Sequence, residues 1–320
     1  MASRRVATFG CTLIVLLTFC VAASDKGSAE GPYGLGDIWI YDFDMTVGTL
    51  SLSGTMTYSF IGESSKNISG IAYETYEMSE SGSLAVTGTF YGTWAFGTAT
   101  ITGTDSMDRE SLDLIVSDIN LSMTLSVPTQ NPPVTIDTWD HLISTYSPPG
   151  GIGQVPEDFR VGSSWTKNYT IESVETSFDS RFRAITNDSH SYSSTCVYTY
   201  LGASSVIVPA GKFECEKVTE DDEYGVTTSW ICEKVGMVVK SEYNPGSSDS
   251  ITQLLVSYSY TPSPQEDWSP AMVLASLGVP LVAVNVTVVI WMANRRQVPR
   301  QDLMVDQTPL GSRPPIPPSV

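Results

Sequence analysis

The chain has 320 residues, with 35 acidic side chains against 17 basic and a formal net charge of −18. From Ser24 to Ser269 the imbalance is 33 against 11, a surface for which nucleic acid and anionic lipid headgroups are poor partners. Solubility is the plain reading of so much negative charge, and divalent-cation binding is the sharper one.

In chain order, Arg4 and Arg5 precede an apolar run from Val6 to Val21, and Val21-Ala22-Ala23 offers small residues for cleavage before Ser24. This is the layout of a secretory signal, so residues 1–23 are expected to be removed; an uncleaved signal anchor is the alternative. The exported part, residues 24–268, then keeps Cys196, Cys215 and Cys232. An oxidising exterior permits one disulfide with one thiol left over. Cys215 and Cys232 flank EKVTEDDEYGVTTSW, which reads as a hairpin turning near Glu223 to Gly225, so these two are the expected pair and Cys196–Cys215 competes.

From Asp37 the apolar residues recur with period two: Trp39, Tyr41, Phe43, Met45 and Val47, then Leu50, Leu52, Met56, Tyr58 and Phe60. Further alternating runs fill the chain to Val127, with Thr and Ser on the other face. The fold class predicted is mainly β: a curved antiparallel sheet, either a half-barrel or two tandem modules at 33–128 and 157–261. Proline and glycine crowd Pro128 to Pro156. That stretch reads as a linker or a long loop across the mouth of the domain, with one short helix over TWDHLIST capped by Asp137. After it, Val161-Gly162-Ser163-Ser164-Trp165 echoes Leu35-Gly36-Asp37-Ile38-Trp39, a weak sign of internal duplication.

Ala271 to Ala293 contains no charged residue and is long enough to cross a bilayer core. Glu266 and Asp267 precede it and Arg295, Arg296 and Arg300 follow, which places the tail, residues 294–320, in the cytoplasm. The predicted protein is thus a single-pass cell-membrane protein, with a transmembrane helix at 269–293 and its β domain outside. Four sequons lie in that domain, at Asn67, Asn120, Asn168 and Asn187, each an acceptor of N-linked glycan where the host has the pathway. The tail ends RPPIPPSV, a composition that favours polyproline II.

No catalytic motif is present: there is no G-x-S-x-G, P-loop, dinucleotide fingerprint or H-E-x-x-H. His141 and His190 sit in polar settings and read as surface residues. Glu220-Asp221-Asp222-Glu223 lacks the alternating spacing of a calcium loop and reads as an exposed acidic turn, and Asp42 and Asp44 as the polar face of the first strand. The expectations are no enzyme activity, no cofactor and no metal.

Val208-Pro209-Ala210-Gly211-Lys212-Phe213-Glu214-Cys215, followed by Trp230-Ile231 and by Val235-Gly236-Met237-Val238-Val239-Lys240, resembles the "VPAG-x-F" signature of DUF3108/TapB-like exported β-domain proteins. Gly36-Asp37-Ile38-Trp39-Ile40-Tyr41 resembles the "GD-x-W-x-Y" opening of archaeal-type surface proteins. The resemblance covers about forty residues well, and it implies a curved sheet shaped like the LolA/LppX half-barrels that cradle lipid. It brings no catalytic residues. On the residues alone the VPAG segment reads as a folding device: Pro209 ends a strand, Ala210-Gly211 reverses the chain, and Phe213 and Cys215 re-enter the core.

Together these readings predict a membrane-anchored, non-catalytic extracellular binding domain, its apolar concavity offered to a lipid or other hydrophobic ligand. The aromatics Trp39, Tyr41, Phe43, Trp94, Phe96, Trp165 and Trp230 would supply that surface. A structural envelope or adhesion glycoprotein is the alternative, and a hydrolase with an unrecognised site the second.

Overall fold

The alternation that begins at Trp39 becomes strand β1 (Ile38–Val47), and it buries Trp39, Tyr41, Phe43, Met45 and Val47 on a single face. In a computed structural model of the chain, residues 33–260 are described apart from 91, 110–112, 129–132, 151–159, 223–224 and 245–248. Eleven more strands follow: β2 (Leu50–Ile68), β3 (Ile71–Phe90), β4 (Thr93–Asp108), β5 (Leu114–Val127), β6 (Val134–Gly150), β7 (Ser164–Asp179), β8 (Ala184–Val208), β9 (Gly211–Asp222), β10 (Gly225–Cys232), β11 (Met237–Asn244) and β12 (Ser250–Ser259). The signal at 1–23, the apolar segment at 269–293 and the tail at 294–320 lie outside the described residues. Among the described residues no helix is long and apolar enough to cross a membrane.

Each strand pairs antiparallel with its neighbours in sequence, and β1 pairs with β12 from Ile38↔Ser259 to Thr46↔Ser250, so the sheet closes on itself as a twelve-strand barrel. This corrects the half-barrel and the tandem modules. Both halves of the chain contribute strands to one sheet, and closure leaves no unpaired edge to expose backbone groups. The expected loop at Pro128–Pro156, with its short helix, is also corrected: Val134–Gly150 is β6. Its inward positions are Ile136, Thr138, Asp140, Leu142, Ser144 and Tyr146. Three of them are polar, which hides the period-two pattern from a hydropathy reading. Asp137, the expected cap, instead accepts a hydrogen bond from Thr124 Oγ1 at 2.8 Å on the outer face.

A twelve-strand ring encloses more space than the eight strands whose side chains alone fill a barrel. Here large side chains occupy it, among them Trp39, Tyr41, Tyr58, Tyr76, Tyr146 and Tyr198, all fully buried. The β8–β9 hairpin adds to the filling. Its tip reaches past β10 and β11 to β12, where the Ala210 N–H donates to the Leu255 carbonyl at 3.0 Å and Phe213 packs on Tyr258. Phe213 and Cys215 are both buried, as the folding-device reading of the segment requires. At the same end Tyr33, Trp39, Phe60, Tyr76 and Tyr260 form one aromatic cluster, with ring centroids 5.7–5.9 Å apart. The Trp39 indole donates to the Val235 carbonyl at 2.7 Å, tying β1 to a 3-10 turn, Glu233–Val235.

The echo noted in the sequence is a repeated turn. Gly36 and Gly162 both hold positive φ, 94° and 90°. The Asp37 N–H donates to the Gly34 carbonyl and the Ser163 N–H to the Arg160 carbonyl, at 2.9 and 2.8 Å. Each turn is followed one strand later by the same bulge, at Phe60/Gly62 in β2 and Tyr200/Gly202 in β8. The six strands opened by the first turn and the six opened by the second make the two halves of the ring.

Candidate functional site

The cluster richest in chemistry lies inside the barrel. Glu80 on β3, Asp105 on β4, Asp140 on β6 and Glu220 on β9 all point inward and are buried. Strand parity places them: Glu80 is in phase with Tyr76, Met78, Leu84 and Val86, and Asp105 with Ile101 and Met107. Tyr58 lies directly opposite Glu80 across β2–β3, and Ser117 opposite Asp105 across β4–β5. Opposite Glu80 on the other side is Gly103, where a Cβ would come 2.7 Å from the Glu80 Oε1; the glycine gives that carboxyl its room.

Burial pushes the Glu80 carboxyl well above its ordinary range, and the neighbouring Asp105 adds to the shift. Asp105 rises to about 7, burial being the main cause, with the Ser117 hydroxyl opposing it and the Glu77 and Asp118 charges reinforcing it. Neither oxygen of Glu80 has a hydrogen-bond partner, nor does the Tyr146 hydroxyl. Glu220 accepts from the Tyr198 hydroxyl at 2.9 Å and is likewise raised by burial. Two buried carboxyls on adjacent strands, both raised by burial, are raw material for acid–base chemistry, but such chemistry needs contact with a substrate. All four oxygens of the Glu80–Asp105 pair are shut off from solvent.

Glu220 corrects the reading of its segment as an exposed acidic turn: β9, which runs to Asp222, carries it inward. The aromatics expected to line a concavity divide. Trp39, Tyr41 and Phe43 are inside, and Trp165 is half-buried against Tyr198. Trp230 is sandwiched between the ammonium groups of Lys217 and Lys240, at 4.7 and 4.8 Å. Trp94 and Phe96 face outward and are about half exposed.

Those two belong to a second candidate surface, on the outer wall away from the chain termini. Trp139 on β6 stacks on its cross-strand partner Phe178 on β7, with centroids 6.2 Å apart and planes 19° apart, and Phe178 in turn opposes the exposed Ile185 on β8. Phe182, in the β7–β8 turn, is exposed under the guanidinium of Arg181. Hydroxyl residues fill the intervening outward positions, among them Thr100, Ser122, Thr124 and Ser126. In sequence these residues differ from core aromatics only by strand parity, which is how they escape notice.

Cys196, Cys215 and Cys232 are buried free thiols. The β9–β10 register ends at Ile231↔Glu216, one step before Cys232 and Cys215, and a hydrogen bond between these two lowers Cys232 to about 7 and raises Cys215. Asn67, Asn120, Asn168 and Asn187 are all exposed on the outer face. His141 meets Asp118 at 2.8 Å on the outer wall and His190 is exposed. Among the described residues no group of His, Cys, Asp and Glu is arranged to hold a metal ion.

No family model matches the chain, and no curated protein matches it. Two solved structures show a likeness. One is described as a lipoprotein from Parabacteroides distasonis, 14% identical over 72% of this chain and 97% of that one, with a TM-score of 0.27. The other, from Bacteroides fragilis, is described as an exported protein with a YmcC-like fold, 9% identical over 72% of this chain and 98% of that one, with a TM-score of 0.25. At these TM-scores neither likeness bears on the fold or the function of this chain.

Proposed function

We propose that the chain is a membrane-anchored, non-catalytic extracellular binding domain that meets its partner on the outer wall of the barrel. The observation that carries this reading is the outward apolar row of exposed Trp139 and Ile185 with the half-buried Phe178 between them, together with the exposed Trp94 and Phe96 on the same wall. Large exposed aromatics set among hydroxyl side chains mark interaction surfaces, since each ring offers much contact area at little entropic cost. The wall stands at the end of the barrel opposite Tyr260, from which the chain continues towards the apolar segment. That is the end an anchored domain turns outwards. This favours adhesion or envelope attachment over the lipid cradle, because the inward face is filled by side chains and crossed by carboxyls.

The test is binding of the full chain, in phosphatidylcholine nanodiscs, to isolated cell-envelope polysaccharide. The Trp139→Ala/Phe178→Ala variant is expected to lose binding at least tenfold while keeping its fold, since both side chains lie outside the core. Unchanged binding by the variant would sink the outer-wall reading. A lipid-sized mass carried by the barrel in native mass spectrometry would restore the cradle.

A further inference from the structure

The duplicated turn places two matching apolar knobs at one end of the barrel, beside the bulges beyond which the β2–β3 and β8–β9 hairpins continue to Ile68↔Ile71 and Val208↔Gly211. In the first, Leu35 lies over Gly62, its Cδ2 4.0 Å from where a Cβ would stand, beside Ile61 in the β2 bulge. In the second, Val161 lies over Gly202, its Cγ2 2.9 Å from the equivalent point, beside Leu201 in the β8 bulge. All four are exposed: Leu35 78%, Ile61 50%, Val161 67% and Leu201 42%. In a ring of twelve strands, β1–β2 and β7–β8 are six strands apart, so the knobs stand on opposite sides of the barrel. Strand direction puts both at one end, where β1 and β7 begin.

That end is also where β12 finishes, at Ser259. Ten residues, 261–270, separate Tyr260 from the apolar run 271–293, a reach of at most about 35 Å even when fully extended. At this end Arg160, Lys212 and Lys234 are exposed, Lys212 lying 3.7 Å from Glu214 and Lys234 next to the exposed Glu233. Apolar side chains interleaved with long cationic ones suit the membrane interface, where the stems meet acyl chains and the heads meet phosphates.

We infer that this end sits on the outer leaflet of the membrane, the Leu35 and Val161 knobs forming two opposed points of contact that hold the barrel upright. The inference rests on the membrane-anchored reading and goes beyond it by fixing the orientation. Isolated exposed apolar residues are ordinary on any surface. Here they recur at equivalent positions, as products of the same turn and bulge, on the end nearest the apolar segment.

The test uses the full chain in phosphatidylcholine vesicles, with and without a nitroxide carried near the lipid headgroup. Leu35→Cys, Val161→Cys and, at the opposite end, Phe182→Cys each receive a fluorescent maleimide. The parent chain, treated in parallel, gives the background from native cysteines. Nitroxide is expected to quench the Leu35 and Val161 labels at least threefold more than the Phe182 label, and Ile207→Cys at the same end gives a second reading if either variant folds poorly. A chain that floats with the vesicles but whose labels at this end are quenched no more than Phe182 overturns the orientation and leaves the anchor standing. Quenching at one knob alone overturns the two-point stance. A chain that fails to float overturns the anchor, and the orientation with it.

Discussion

Glu80 and Asp105 project into the barrel from adjacent strands, and the charges that act on them are other carboxylates. The cheapest state of such a pair is neutral. Each carboxyl therefore binds its proton more tightly folded than unfolded. The stability this contributes is fully present below the unfolded carboxylate range, near pH 4, and is lost as pH rises through the folded value, about 7 for Asp105. For Asp105 alone the loss is on the order of 4 kcal/mol. Urea melts between pH 4 and 9 should show stability falling with rising pH. Asp105→Asn, which stays neutral throughout, should flatten that slope.

The two turns at Gly36 and Gly162 should answer alike to the same change. Each holds a positive φ that an L-residue enters at a cost. Gly36→Ala and Gly162→Ala are each expected to destabilise the barrel by about 1 kcal/mol, and the double variant by about the sum, since the sites are remote. Chemical denaturation of the four proteins checks both the size and the additivity.

Trp39 carries more. It is fully buried, packs on Tyr33 and Tyr260, and its indole satisfies the Val235 carbonyl 196 positions along the chain. Trp39→Ala should cost about 3–5 kcal/mol through the cavity and the orphaned carbonyl. Trp39→Phe keeps most of the volume and should cost clearly less. A thermal melt of each separates packing from hydrogen bonding.

Cys215 and Cys232 are expected to join when the protein is made in an oxidising compartment, with Cys196 left as a thiol. Intact mass before and after reduction, followed by peptide mapping, should show one reducible link between those two residues. A link involving Cys196 would overturn the pairing.

Much of the barrel was legible in the sequence, because strands such as β1 and β2 alternate apolar and polar residues with the apolar set inward. The hairpin between β9 and β10 was legible too, through its turn residues, and Gly225 does donate its N–H to the Asp222 side chain there. Closure was not legible, because the pairing of Ile38 with Ser259 joins residues with no local signal of each other. Neither were β6 and Glu220. Both put polar side chains inside, and a reading that assumes an apolar interior assigns them to a loop and a turn. Trp94 and Phe96 depart in the opposite sense: large aromatics read as the lining of a concavity, whereas strand parity turns both outward.

Closure has a mechanical consequence. The chain leaves the barrel from β12, which is held by nine paired positions on β1 and four on β11. In the proposed arrangement, a pull between a partner on the far wall and an anchor beyond Tyr260 would run close to the strand direction. The bonds on both flanks of β12 then bear load together, in shear, whereas unzipping would break them singly. Were the domain tethered by its last strand, as proposed, it would in this way be built to stay folded under tension.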